Sequence, residues 1–176
     1  MNPQEWKTMP VRELIAEDAP GFWGECPTGN GDIHVLRCTN LLEDGRLDYD
    51  ELASRSYTPS KLASKRLERG DILLERSGGG PDQPVGRVGY FDHDGLFGFS
   101  NFMQRLRAQE SVCMRKFLFY QLWALHADGR TAVMQHATTG IRNLDFGEYL
   151  AFRLSVPPFC EQAKIVEMLE CGIRPV

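Results

Sequence analysis

The apolar residues of this chain fall into two rhythms, and the rhythms predict its elements. Between 114 and 126, Phe117, Leu118, Gln121, Leu122 and Leu125 share one face at helical spacing, which predicts a helix that Asp128-Gly129 ends. Strand-like runs occur at 33–37, 71–76, 85–91 and 96–107. Near the end of the chain, Phe152, Leu154 and Val156 alternate with Ala151, Arg153 and Ser155, predicting a strand over 150–156. Pro157-Pro158 must stop that strand, because proline donates no ladder hydrogen bond. Proline does fit the first turn of a helix, and Glu161 stands where a helix dipole favours an anion. Ile165, Val166, Met168 and Leu169 then recur at helical spacing, so a strand should feed a helix through a rigid Pro-Pro joint.

Other stretches read less regularly. Val11, Leu14 and Ile15 form a short amphipathic stretch before a turn at Pro20-Gly21 and the aromatic pair Phe22-Trp23. Thr58-Pro59 reads as an N-cap followed by a first helical residue. Leu62 and Leu67 would supply that helix's thin apolar stripe and Lys61, Lys65, Arg66 and Arg69 its polar side, with Gly70 as the expected stop. Loops are expected at 26–31 and at the glycine run 77–81, and a turn at Asp44-Gly45. A tight turn at 92–95 should join the strands 85–91 and 96–107 into an antiparallel meander. The segment 131–136 fits either strand or helix, 137–143 reads as a polar loop, and 145–147 as a turn into the terminal strand. No repeat or low-complexity linker divides the 176 residues, so one domain with a real core is expected.

Composition narrows the class. The 42% hydrophobic and 25% charged fractions are those of an ordinary globular protein. No apolar run approaches a membrane span and the start MNPQEWKTMPVRELI is not a secretory signal, so a cytoplasmic protein without membrane contact is expected. Five scattered cysteines (Cys26, Cys38, Cys113, Cys160 and Cys171) without CxxC spacing read as reduced core thiols. The net charge of −4 opposes non-specific nucleic-acid binding, but the charge is uneven. Residues 1–51 hold 4 Lys+Arg against 11 Asp+Glu, and residues 52–176 hold 16 against 13. Contact with a polyanion should therefore fall in the later part of the chain.

Catalytic constellations do not emerge. Gly78-Gly79-Gly80 lacks the Lys-Ser/Thr and helix of a phosphate loop. Asp71 and Glu75 share a strand face as metal-dependent nuclease carboxylates could, but no lysine follows Glu75 at i+2. His34, His93, His126 and His136 lack metal-ligand spacing, and neither a nucleophile elbow nor a methyl-donor loop is present. No enzyme activity and no cofactor are expected. What remains is a binding surface. Arg76, Arg87, Arg105, Arg107 and Arg142 lie beside Ser77, Gly78, Ser100, Asn101, Thr138 and Thr139, residue types that read bases or hold phosphates. The expectation is that Arg76, Ser77, Arg87, Asn101, Arg105 and Arg142 border one surface. Gly78 and Thr139 belong to its loops, and Lys61 and Lys65 reach the backbone of a nucleic acid beside it.

Several segments, in order, resemble the specificity subunit of type I restriction–modification enzymes. The joint Val156-Pro157-Pro158-Phe159-Cys160-Glu161-Gln162-Ala163-Lys164-Ile165 is similar to that family's PPL-x-EQ-x-x-I signature. Asp32 to Leu41 resembles its G-x-I-P-x-I-R-x-x-N-L segment, and Gly45-Arg46-Leu47 with Tyr57-Thr58 the one that follows. Leu67 to Leu74 resembles L-x-x-GDIL, Val85-Gly86-Arg87 the I/V-G-R strand, Lys116 to Leu122 the FLYYYL helix, and Thr139 to Leu144 GSG-x-x-x-L. The resemblance covers about residues 5–170. It implies an α+β target-recognition-domain fold, with a twisted, partly barrel-like antiparallel or mixed sheet, a few helices and a C-terminal helix. Residues 1–157 would form the recognition domain, and 158–176 the start of a truncated spacer helix that Gly172 and Pro175 break. It further implies a non-catalytic, sequence-specific DNA-binding module reading one half of a bipartite site on double-stranded DNA. Methyltransferase (modification) subunits would be its partners, with a second recognition domain or a homodimer completing the assembly. The acidic first third supports an alternative, a degenerate domain that binds protein partners without reading DNA.

Overall fold

The computed structural model describes residues 5–30, 32–80, 83–138 and 140–172. In chain order the strands are β1 (Lys7–Pro10), β2 (Ile15–Pro20), β3 (Ile33–Leu36), β4 (Ala53–Arg55), β5 (Ile72–Glu75), β6 (Val88–Tyr90), β7 (Phe97–Phe99), β8 (Met103–Ala108), β9 (Gln135–Thr138), β10 (Ile141–Leu144) and β11 (Arg153–Val156). The helices are α1 (Pro59–Lys65), α2 (Arg115–Ala127), α3 (Phe146–Ala151) and α4 (Phe159–Gly172). The fold is α+β, as expected. A four-stranded sheet in the order β2-β8-β5-β6 sits at its centre, a three-stranded sheet β4-β3-β7 lies alongside, and β1-β11 and β9-β10 form two-stranded ribbons.

Both faces of the central sheet are covered. Ile72, Leu74 and Leu106 point into a core built with α2 through Phe117, Leu118, Leu122 and Leu125. Leu73 and Met103 point the other way, into a core with Leu36, Leu41, Phe91, Phe97 and Phe99. The period-two alternation of β5 and β8 thus splits one apolar run between two cores.

Several sequence expectations are corrected here. The run 96–107 is two strands, and the meander is broken. After the turn at 92–95, β7 does not fold back on β6. It pairs in parallel with β3 (His34↔Phe97, Leu36↔Phe99), and a turn at Ser100–Phe102 then starts β8. The first helix ends at Lys65 rather than Gly70, because Leu67 N–H donates to Phe97 O at 2.8 Å and draws the chain away. Residues 146–151 are helical, where a turn at 145–147 and a strand from 150 are expected. Asp145 caps α3 by accepting from Glu148 N–H at 3.0 Å, so the terminal strand begins only at Arg153. The polar stretch 137–143 is mostly a hairpin, β9 on β10, with Gly140 at φ 84° near its tip. Of the five thiols only Cys113 is buried, while Cys26, Cys160 and Cys171 are exposed.

The Pro-Pro joint holds as a strand–helix corner. β11 pairs antiparallel with β1 (Lys7↔Val156), so the two ends of the domain meet there. Glu161 accepts from Trp6 Nε1 at 2.8 Å, tying α4 to the segment before β1. Gln162 is 1% exposed. Its amide nitrogen donates to Pro157 O at 2.9 Å and to Val112 O at 3.3 Å, and its Oε1 accepts from Met114 N–H at 2.8 Å. That last bond satisfies a backbone donor at the start of α2, which has no side-chain N-cap of its own. The Glu-Gln pair is therefore the clasp between α4, the joint and α2. Replacing Gln162 by Leu leaves these buried groups unpaired and should cost about 1–3 kcal/mol in urea unfolding. Changing the exposed Lys164 to Ala should leave the midpoint within about 0.5 kcal/mol of the parent.

Candidate nucleic-acid interface

The arginines picked out in the sequence separate into two groups. Arg105 and Arg107 lie on the β8 face that carries Met103, opposite Leu73, and that face is covered. Arg105 is 2% exposed, ion-paired with Glu17, and donates to Arg66 O at 2.8 Å. Arg107 bonds Asp71 at 2.8 Å and Glu17 at 3.1 Å. Arg87 lies along Glu75, which is 3% exposed, with two bonds of 2.9 Å, and reaches the carbonyls of Leu41 and Cys38. These bonds hold its guanidinium even more firmly protonated than usual. Burial, reinforced by Glu75, pushes the nearby Cys38 thiol up to about 12, so it stays neutral. The expectation that Arg87 and Arg105 border an open surface is thus corrected: each neutralises a carboxylate of the fold. Asp71 and Glu75 are each paired with a separate arginine. Among the described residues no group of side chains could hold a metal ion.

The second group comes together. The β7–β8 turn exposes Asn101 and Phe102. Phe102 O accepts from the backbone N–H groups of Arg76 (2.8 Å) and Ser77 (3.2 Å), which locks the start of the glycine loop to that turn. Arg76 donates to Gln104 at 3.1 Å and lies 4.6 Å over the Phe146 ring. Ser77 Oγ bonds Asn143 Oδ1 at 2.6 Å. The loop then runs along β10: Gly78 N–H donates to Arg142 O and Arg142 N–H to Gly79 O, both at 3.2 Å, while Arg142 Nε bonds Gly80 O at 2.9 Å. Gly78 has φ 118°, and a Cβ on Gly79 would stand 2.0 Å from Gln83 O, so glycine is required at both. The loop's close approach is thus to its own chain. Thr139 lies outside the described residues.

Beside that turn the residues missed in the sequence complete the strip. A cavity of ≈ 420 Å³ is lined by Trp23, Arg37, Cys38, Ser100, Asn101 and Phe102. Arg55 lies 4.2 Å over the Trp23 ring, and Lys61 on α1 lies 5.1 Å over Phe22. Lys65 follows one turn on, its ammonium held below its usual range by partial burial and then by Lys61 and Arg105. A contiguous strip thus runs from Lys61 through Phe22, Trp23, Arg55, Asn101 and Phe102 to Arg76, Ser77 and Arg142. The Phe22-Trp23 pair was visible in the sequence. Arg37 and Arg55 were not, because only the β3–β4 and β3–β7 pairings carry them there.

The two groups should separate in unfolding experiments. Arg87→Ala strands the buried Glu75 carboxylate and should cost about 3–5 kcal/mol. Lys61→Ala, on an exposed helix face, should stay within about 0.5 kcal/mol. Urea denaturation of both variants checks this.

Comparison with known proteins follows the same outline. No protein-family model matches the chain. It is 26% identical over 168 residues to the type I restriction enzyme StySPI specificity subunit of Salmonella potsdam, covering 94% of this chain and 35% of that protein. Its fold resembles the S subunit of a type I restriction–modification system from M. genitalium, with TM-score 0.65, 16% identity and coverage of 97% of this chain and 39% of that one. It also resembles the HsdS subunit from Thermoanaerobacter tengcongensis, with TM-score 0.59, 17% identity and coverage of 97% and 38%. The chain therefore spans about a third of the curated relative's length and somewhat more of the solved ones. At 26% identity along nearly its whole length this chain is similar to one portion of a type I restriction enzyme specificity subunit, and its fold is the one seen in a single domain of the solved S subunits.

Proposed function

We propose that the chain is a non-catalytic DNA-reading module that serves a type I restriction–modification methyltransferase and endonuclease. It recognises one half of a bipartite double-stranded site. Residues 1–157 form the recognition domain and 158–176 open a spacer helix. Modification subunits supply the chemistry, and a second recognition domain or a second copy supplies the other half-site. The observation that carries this reading is the contiguous strip of Lys61, Asn101, Arg76, Ser77 and Arg142, held on turns by backbone bonds. Arg and Asn are the side chains suited to guanine and adenine edges, and lysines to phosphates. The specificity-subunit relatives support it by name. Among the described residues no helix is long and apolar enough to cross a membrane.

Charge favours a second reading at one place. The −7 balance of residues 1–51 would suit a basic protein partner, and a domain that only binds such a partner would show no base preference.

Selection from a randomised duplex pool at two salt concentrations, with the methyltransferase partner present, distinguishes the two. Arg142→Ala should lose about 1–3 kcal/mol at one base position and relax preference there. Lys65→Ala should weaken all sequences alike and lower the salt slope by about one. Absence of any sequence enrichment by the parent assembly would leave the protein-binding reading in its place.

A further inference from the structure

Arg76 is held differently from Arg87, Arg105 and Arg107. Those three each lie against a carboxylate: Glu75, Glu17 and Asp71. Among the described residues the Arg76 side chain has two partners, and neither is a carboxylate. Its Nη1 donates to Oε1 of Gln104 at 3.1 Å, and its guanidinium carbon lies 4.6 Å from the centre of the Phe146 ring. A neutral amide takes one N–H and leaves the full unit of charge in place, where a carboxylate would cancel it. Nε and Nη2 have no partner among the described residues, and they are open to solvent. The sealed polar atoms without partners are Nε of Arg37, Arg55 and Arg105, Ser100 Oγ and the Tyr149 hydroxyl, none of them in Arg76. Nε and Nη2 form an edge of the guanidinium that can bond two acceptors at once.

The amide behind Arg76 is itself oriented. Gln104, on β8, is 2% exposed. Its Nε2 donates to Oδ1 of Asp18, an exposed residue of the edge strand β2. An ionised carboxylate only accepts. It therefore draws the Nε2 end of the amide toward itself and leaves Oε1 turned to Arg76. Without that acceptor the amide is free to turn over, setting N–H against N–H and pushing the guanidinium off Phe146. We propose that Asp18 and Gln104 are positioning residues for DNA reading: through the amide they hold Arg76 over Phe146, with its Nε–Nη2 edge presented to a pair of acceptors on the DNA. That pair is the O6/N7 edge of a guanine or two oxygens of one phosphate, since both match the guanidinium fork. Simple electrostatics assigns Asp18 the opposite effect, because a carboxylate beside the strip repels a polyanion. The inference rests on the DNA-reading function proposed above and adds to it two residues that act through Arg76.

Two substitutions that remove the same charge separate these effects. The conservative Asp18→Asn keeps an oxygen that accepts from Gln104, and Asp18→Ala keeps none. On the duplex enriched by the parent assembly, Asp18→Ala should bind about tenfold more weakly than the parent, while Asp18→Asn should bind at least as tightly as the parent. In an Arg76→Ala background Asp18→Ala should have no further effect. Gln104→Glu sets a carboxylate against Arg76 in the same space. It should likewise weaken binding in the parent and have no effect without Arg76, and it gives the same comparison if urea unfolding shows that Asp18→Ala does not fold. The two sources of the acceptors separate in the same titrations. A guanine shows as relaxed preference at one base position, with an equal loss when a guanine analogue lacking N7 replaces it there. A phosphate shows as weakening of all sequences alike, with the salt slope lower by about one. Equal affinities for Asp18→Ala and Asp18→Asn, or either loss persisting without Arg76, would overturn the relay. If the parent assembly enriches no sequence, the DNA-reading function itself fails, a result distinct from equal affinities in a parent that reads DNA.

Discussion

The structure depends on the β5–β8 ladder being covered on both sides. An apolar run such as Ile72-Leu73-Leu74 can be buried whole only if two cores share it, and the flanking Asp71 and Glu75 are then drawn inside with it. A carboxylate taken from water must find a partner there. The chain supplies one for each: Arg107 for Asp71 and Arg87 for Glu75. Arg105, on the same face of β8, draws on Glu17 of the edge strand β2. These pairs add little net stability compared with apolar residues, but losing one partner strands a buried charge. They also set register, since slipping β8 by one residue would turn Arg105 and Arg107 into the opposite core.

That arrangement decides which cations remain for a ligand. Arginines on covered strands are consumed by the fold. Arg76 and Arg142, on the glycine loop and its neighbouring strand, are only partly covered and are tied in through main-chain bonds. The β7–β8 turn illustrates this. Its Phe102 carbonyl anchors the start of the glycine loop, the loop runs along β10, and Asn101, Arg76, Ser77 and Arg142 are positioned by one continuous set of main-chain contacts. Changing a side chain on such a turn should have a small effect on the core.

The ends of the domain are handled by a second clasp. β1 pairs with β11 and Gln162 bonds three backbone groups around the Pro-Pro corner, so α4 is held in a defined direction against α2. A flexible corner would let α4 swing relative to the rest of the fold. The buried glutamine and the paired prolines remove that freedom with few residues.

How much of this was legible beforehand follows from the range of each interaction. The sequence alone determined the elements whose causes are local. The Phe117 to Leu125 stripe made α2, Thr58-Pro59 started α1, and the Pro-Pro joint separated β11 from α4, because spacing, capping and the missing proline donor act within a few residues. Ordered short motifs also pointed to the family. Tertiary structure decided the rest. Nothing near Phe97 announced a parallel pairing with His34, sixty-odd residues earlier, so the meander was expected and did not form. Arg105 looked like a loop-side cation because its neighbours are polar. Its burial follows from facing Leu73 across a ladder and from Glu17 arriving on another strand. The cleft of Trp23, Arg37 and Phe102 joins three segments far apart in the chain, and only long-range strand pairing could bring them around one space.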